Sequence, residues 1–499
     1  MNLIDFIKQK CDQFGDKPFL LGEGGPVSYT AFDAAGTGLA ERLVSLGVAP
    51  GDRVAILHPN SPYAFMAYIA AVKAGAVAVP VNPIYTPPEI AHLLSDSGAK
   101  LLIVHEKLAP NVEKIAEPLP ELAKVVVRRT EQTLEQALEE AGGHGRDVQL
   151  PTEFRADDPA FTFYTSGTTG KPKGVVLSHR NLYFGGANIA QNFGLRSDDV
   201  ALAVLPMVHI FCIASPFMGS FSSGGSVAVL PGFSSEKTLE AIGRYRVTWF
   251  PGVPTMFSYL LNTFDPAKHD VSSLRMGLSG GASMPMDLMQ RWQETFGAQV
   301  QEAYGLTEST GLVICDPVFG VRKPGSIGIA ASGVDAKLVN EDGTDTPPGE
   351  VGHLIFRGPN RFSHYHNQPE LTEESIKDGW FYTGDHAYRD EEGYYFIAGR
   401  EQELIITAGY NIYPREIEEV LYAFPGVNEA AVVGVPHPSK GEAPRAFVAM
   451  KPGEPEDAEA VLAHCRESLA PYKIPQLVFI AELPKNPTGK IVKNDLPRD

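Results

Sequence analysis

The sequence predicts an α/β protein with two large subdomains of alternating strands and helices, a β-rich third, and a small α+β unit at the C-terminus. Three observations predict it. Short apolar runs alternate with helical stretches over residues 54–104 and again over 200–279, the pattern of parallel strands covered by helices on both faces. From about Lys323 the texture changes to short β-prone runs between Gly, Pro and Asp turns. Past Gly399-Arg400 a compact mixed unit begins. A length of 499 residues, at the usual ~150 per domain, agrees with about three compact units.

In chain order, residues 1–50 read as a helix, a hairpin-like turn at Gly22-Glu23-Gly24-Gly25-Pro26, and an amphipathic helix over about 29–46. Val54-Ala55-Ile56-Leu57 is a short buried strand, 64–74 a helix, and Val77-Ala78-Val79-Pro80-Val81 a second strand. A helix over 88–97 leads into the strand Leu101-Leu102-Ile103-Val104, and the Gly-rich run at 141–145 opens a polar connector. The second α/β series has strand runs at 200–205, 226–230, 247–250 and 274–279, with a helix at 235–245. Runs at 336–339, 353–356 and 394–397 make the β-rich part, and the last unit has a strand at 430–435 and a helix near 457–469.

The formal net charge of −18 argues against nucleic acid as a partner, because phosphate backbones reward clustered Lys and Arg. A small nucleotide remains compatible, since one site can be locally positive. The 43% hydrophobic and 20% charged fractions are those of a globular enzyme. Cys11, Cys212, Cys315 and Cys465 are far apart, which points to neither a zinc site nor a disulfide framework and to a reducing, cytoplasmic compartment. The N-terminus carries an early acid, Asp5, and no long apolar core, so no signal peptide is expected. Residues 201–221 are almost uncharged and close to the ~20 a membrane span requires. They contain Pro206, His209 and Pro216 and sit between α/β units, so a buried core segment is expected. The oligomeric state is left open, a homodimer included.

Most of the chemistry is concentrated in Tyr164-Thr165-Ser166-Gly167-Thr168-Thr169-Gly170-Lys171-Pro172-Lys173-Gly174, directly after the apolar run at 160–163. Glycines let the backbone approach a ligand closely, while small hydroxyls add donors and lysines add charge. A turn rich in N–H groups is a concave anion site, so phosphate is expected here rather than an inert surface loop. It is not the kinase P-loop. Pro172 stands where that motif needs Ser or Thr, and Thr165 where it needs its first glycine. No G-x-G-x-x-G pattern accompanies it, so a dinucleotide fold is not indicated.

Gly277-Leu278-Ser279-Gly280-Gly281 formally matches the G-x-S-x-G nucleophile elbow, which gives a rival reading as a serine esterase through Ser279. A phosphate loop has no role in ester hydrolysis, which weighs against it. In Glu302-Ala303-Tyr304-Gly305-Leu306-Thr307-Glu308, Tyr304 can stack on a purine, Thr307 can donate to a phosphate, and Glu308 can hold Mg2+ through oxygen. Alone, such a run is more often an ordinary strand-to-loop transition. Trp380-Phe381-Tyr382-Thr383-Gly384-Asp385 ends in an acid suited to accept two ribose hydroxyls, or in a plain turn Asp. On composition alone His209 reads as a core histidine and Lys490 as a solvated charge.

All these motifs, in this order, resemble those of the adenylate-forming superfamily, and the match runs from roughly residue 20 to the end. Segments 81–86, 280–285 and 409–416 look most like bacterial long-chain fatty-acid–CoA ligases. The resemblance implies an AMP-binding domain over 1–399 and a mobile C-terminal lid over 400–499. It implies ATP phosphate contacts from Thr165, Ser166, Gly167, Thr168, Thr169, Gly170 and Lys173. Adenine would lie against Gly280, Gly281 and Ala282, with further nucleotide contacts at Glu302, Ala303, Tyr304 and Gly305. Asp385 and Arg400 would hold the ribose. Thr307 and Glu308 would act in catalysis, Glu308 also on Mg2+, and Lys490 would bridge the substrate carboxylate and the α-phosphate. His209 would stand at the mouth of an acid pocket lined by Val208, Ile210, Phe211, Ile213 and Gly281.

The implied reaction joins a fatty acid to coenzyme A in two steps, through an acyl-adenylate, with release of pyrophosphate and AMP. An aryl acid is the alternative substrate. The lid would rotate between the steps, withdrawing Lys490 and bringing Gly409 and Tyr410 to the CoA pantetheine. One departure stands out: the hinge position, Asp or Lys in the family, is Gln402 here.

Overall fold

Two large sheets, parallel through their centres, form the bulk of the N-terminal domain. The computed structural model describes the chain except residues 23, 117, 131, 146–147, 166–171, 408–409, 438–439, 487–488 and 499. The seven-stranded sheet runs in the order His364–Tyr365, Lys173–Ser178, Pro159–Thr165, Val77–Val81, Arg53–Leu57, Ala99–His105, Lys124–Arg128. Its apolar runs are continuous because both faces are covered. Val54, Ile56, Leu101 and Ile103 pack into one core, while Ala55, Leu57, Leu102 and Val104 pack into another. Parallel pairing gives way at one edge, where Lys173–Ser178 is antiparallel both to His364–Tyr365 and to Pro159–Thr165, with Thr165 opposite Lys173.

The nine-stranded sheet is ordered Ile329–Ala330, Ile314–Cys315, Gln299–Tyr304, Met276–Gly280, Trp249–Gly252, Val200–Ala203, Ser226–Val229, Pro18–Leu21, Val27–Ser28. Its pairing is parallel from Gln299–Tyr304 to Pro18–Leu21 and antiparallel at both edges. The uncharged segment 201–221 is a core segment: strand Val200–Ala203 is followed by Ile210–Cys212, a π-helical turn Ile213–Gly219, and Ser220–Ser223. Pro216 lies inside that turn. Lacking an N–H and crowding the preceding turn, a proline is incompatible with regular α-helical pairing, and the wider π turn accommodates it. Among the described residues no helix is long and apolar enough to cross a membrane.

The third sheet is antiparallel, with Asp335–Val339, Val351–Arg357 and Trp380–Arg389 as its spine and Ile376–Lys377 and Tyr395–Arg400 both on Trp380–Arg389. The small C-terminal domain wraps helices Pro414–Ala423 and Ala458–Ser468 on a five-stranded sheet built around Val427–His437 and Gly441–Met450. Its core, from Ile405 to Leu496, is separate from that of the larger domain. All four cysteines are free and buried.

Candidate active site

The expected site residues gather where parallel strands end, the place where open α/β sheets build ligand crevices. Gly280 closes Met276–Gly280, Tyr304 closes Gln299–Tyr304, and from the other sheet Thr165 closes Pro159–Thr165. Thr165 Oγ1 is buried with no hydrogen-bond partner among the described residues. The turn beyond it carries Ser166, Gly167, Thr168, Thr169 and Gly170, and these lie outside the described residues, as does Gly409.

Tyr304, Asp385 and Arg400 form one wall. Tyr304 Oη donates to Asp385 Oδ2 at 2.5 Å, and Arg400 Nε lies 3.4 Å from Asp385 Oδ1. The sheet makes this contact unavoidable, because Asp385 and Arg400 face each other across paired strands. Burial pushes the Asp385 carboxyl up, with Arg400 and the Tyr304 hydrogen bond opposing it. Burial, then Asp385, raise the Tyr304 phenol. Gly305 must be glycine, since a Cβ there would fall 2.3 Å from the Gly311 carbonyl oxygen.

Glu308 and Thr307 are buried in the short turn Thr307–Ser309. Glu308 Oε1 accepts from Tyr365 Oη at 2.8 Å and lies 3.3 Å from Lys173 Nζ. Lys173 also donates to Tyr365 Oη at 2.9 Å. Tyr365 was not expected. It lies 192 residues from Lys173 in the chain, and no local pattern links the two.

Glu302 is buried. Its Oε1 accepts from the Met284 N–H at 2.9 Å, so its carboxyl supports the loop that follows Gly280. Burial pushes it up to about 8. Ala303 sits between it and Tyr304, its carbonyl 3.2 Å from where a Gly280 Cβ would be. Gly281 and Ala282 are exposed at the turn.

Lys490 comes from the other domain and reaches this turn. A Cβ on Gly281 would lie 2.5 Å from Lys490 Cε and 2.9 Å from Nζ. The hairpin carrying it is held by Thr255, whose Oγ1 donates to the Gly489 carbonyl at 3.0 Å. Desolvation, reinforced by the Arg400 charge, lowers Lys490 to about 8. His209 caps Ile210–Cys212, its Nδ1 accepting from the Phe211 N–H at 3.2 Å. Burial and the Lys490 charge lower it to about 3, so the ring is neutral. The Phe211 ring closes on the same turn, 3.2 Å from a Gly280 Cβ position. Val208 is half-buried, whereas Ile210 and Ile213 are fully buried in the main core.

Two expected residues lie apart from this cluster. Tyr410 is 57% exposed and stacks on Tyr472 within its own domain. Gln402 sits exposed in the turn Glu401–Glu403, just after Arg400. Ser279 is 1% exposed within its strand, and its hydroxyl has no hydrogen-bond partner among the described residues. With no base hydrogen-bonded to it among the described residues, the nucleophile-elbow reading gains no support.

The arrangement thus brings together aromatic, acidic and guanidinium groups, a carboxylate beside a lysine, and a desolvated ammonium. Comparison with known proteins agrees along the whole chain. The profile described as "AMP-binding enzyme" matches residues 7–366, and that of the "AMP-binding enzyme C-terminal domain" matches 416–490. The chain is 33% identical to a long-chain-fatty-acid–CoA ligase of Bacillus subtilis (strain 168), over 99% of this chain and 94% of that protein. It is 37% identical to a feruloyl-CoA synthase of an Amycolatopsis species, over 95% and 94%. The crystal structure of the anthranilate CoA ligase AuaEII with anthranoyl-AMP superposes with a TM-score of 0.91 at 29% identity, covering 98% of this chain and 95% of that one.

Proposed function

We propose, for a chain that belongs to the family of AMP-binding enzymes, an ATP-dependent ligation of an apolar monocarboxylic acid to coenzyme A through an acyl-adenylate. The observation that carries the reading is Lys490, delivered by the small domain onto the Gly281 turn between the Tyr304–Asp385–Arg400 wall and the His209–Phe211 wall.

In the first step a carboxylate oxygen forms a bond to the α-phosphorus of ATP, and the bond to pyrophosphate breaks. Two anions must meet, and a preorganised ammonium lowers that barrier most where water is excluded. Lys490 is such a group. Its proton is held weakly before substrate arrives, and two incoming negative charges would raise its affinity for that proton. Asp385 would accept the ribose hydroxyls, Arg400 would flank them, and Tyr304 would stack on the base. The loop after Thr165, with Lys173, would bind the leaving pyrophosphate. Among the described residues no group of three His, Cys, Asp or Glu could hold a metal ion. A single carboxylate, Glu308, fits Mg2+ instead, which is usually held by one or two carboxylates together with substrate phosphates. Bound there, the ion would offset phosphate charge.

In the second step the CoA thiol loses its proton, its sulfur bonds to the acyl carbon, and the bond to AMP breaks. We assign the change of arrangement to a turn of residues 400–499 about Gln402, bringing Gly409 and Tyr410 inward. The exposure of Gln402 and Tyr410 supports this.

A fatty acid is the first choice of substrate, because the run 207–222 is uncharged apart from His209. An aryl acid is favoured by one specific observation, the close approach of the Phe211 ring to the Gly280 backbone, which offers an aromatic contact to a ring substrate. The test is AMP and acyl-CoA formation across straight-chain acids of increasing length and across benzoate and cinnamate. Activity rising with chain length supports the first choice, and activity confined to the ring acids supports the second. No AMP with any acid would refute the ligase reading.

A further inference from the structure

The segment 360–365 ties the Glu308 turn to the hairpin that precedes and follows the phosphate loop. Asn360 Nδ2 donates to the Leu312 carbonyl at 2.6 Å, and the Thr310 hydroxyl donates to the Asn360 carbonyl at 2.8 Å. The Phe362 N–H donates to the Glu308 carbonyl at 2.7 Å. The strand His364–Tyr365 then pairs with Lys173–Ser178, with Tyr365 opposite Val175. Tyr365 is only 2% exposed and packs on Phe362, ring centroids 4.7 Å apart, so its orientation is fixed by packing.

The hydroxyl at its tip meets two groups of opposite kind. A carboxylate can only accept and an ammonium can only donate, while a phenol does both. Tyr365 Oη donates to Glu308 Oε1 at 2.8 Å and accepts from Lys173 Nζ at 2.9 Å. Lys173 Nζ also stands 4.2 Å from the Tyr365 ring centroid, a cation–π contact.

We propose that Tyr365 is a positioning residue for MgATP: its hydroxyl fixes the Glu308 carboxylate in the orientation that meets the metal, and its ring and hydroxyl hold Lys173 against that carboxylate until phosphate replaces it. The inference rests on the reading of Glu308 as the metal carboxylate. Lys173 neutralises Glu308 while no nucleotide is bound, and when MgATP arrives the metal takes the carboxylate and Lys173 turns to phosphate. Tyr365 remains as the donor that keeps Glu308 in place, as the hydrogen-bond partners of metal ligands do elsewhere.

The test uses the full-length protein and two variants. Tyr365→Phe removes the hydroxyl and keeps the ring, while Tyr365→Leu removes both. Mn2+ retention in the presence of ATP, read by the loss of free Mn2+ signal in electron paramagnetic resonance, is measured without turnover. Tyr365→Phe is expected to weaken Mn2+ retention about tenfold and to raise the Mg2+ needed for half-maximal adenylation by the same factor, with the KM for ATP at saturating Mg2+ little changed. Tyr365→Leu is expected to raise that KM as well. If Tyr365→Phe retains Mn2+ as the parent does, or loses stability and kcat without any change in metal dependence, the residue is merely structural and the proposal is overturned. If the parent with ATP retains no Mn2+, it is the metal assignment of Glu308 that fails.

Discussion

Lys490 and Gly281 come from different domains and meet with no room between them: a β-carbon on Gly281 would lie 2.9 Å from Lys490 Nζ. Gly281 also has φ +79°, a conformation that side chains disfavour. Gly281→Ala is therefore expected to displace the lysine from the turn. Because small misplacements of a reacting group cost about 100-fold, adenylation should fall by at least that factor while thermal unfolding stays near the parent's. Wild-type adenylation in Gly281→Ala would place the working position of Lys490 elsewhere.

The Lys490 ammonium gives a pH limb with a definite sign. Desolvation brings it down to about 8, so the free enzyme carries the charge below that value and loses it above. The kcat/KM for adenylation reports the free enzyme, and it should decline as pH rises through about 8. Lys490→Arg keeps its charge throughout, so whatever activity it retains should lack that limb. A limb unchanged in Lys490→Arg would belong to another group.

Glu302 is expected to behave as a neutral support. Its carboxyl is raised from 4.5 to about 8 by burial, so between those values the folded protein binds a proton that the unfolded chain does not, and stability falls as pH rises across the window. Glu302→Gln should keep adenylation and flatten that decline, as followed by chemical denaturation at several pH values. Glu302→Ala leaves the Met284 N–H without its acceptor and should destabilise by about 1–3 kcal/mol.

Docking of the Lys490 hairpin depends on Thr255, which donates to the Gly489 carbonyl. Thr255→Val preserves shape and removes the donor. Loss of one such bond is worth about 1 kcal/mol, so the first half-reaction should slow roughly fivefold. Thiolysis of a supplied acyl-adenylate should be unaffected, because in the proposed second arrangement Lys490 has left. Equal slowing of both half-reactions would contradict a change of arrangement.

What was legible in the sequence followed from local physics. Strands such as Arg53–Leu57 and Ala99–His105 are visible as continuous apolar runs because both faces are buried. The two prolines and the histidine in 201–221 marked it as core, where the π turn around Pro216 now lies. The antiparallel hairpin pairing Thr165 with Lys173 was not legible, since a run of apolar residues carries no strand direction. Glu302 stood in a motif suggestive of nucleotide contact, yet its carboxylate accepts from the Met284 N–H, a partner 18 residues away that no local pattern names. Tyr365 was invisible for a different reason: its partners Lys173 and Glu308 are brought to it only by sheet pairing. The meeting of Lys490 with Gly281 depends on how two domains dock, which no local pattern encodes.

The most direct test is carboxylate-dependent exchange of labelled pyrophosphate into ATP, without CoA, in the parent and in Lys490→Ala. Exchange that requires an apolar acid and is lost in Lys490→Ala is the predicted result. Exchange that persists without Lys490, or ATP turnover that gives ADP and no exchange with any acid, would contradict carboxylate activation at this site.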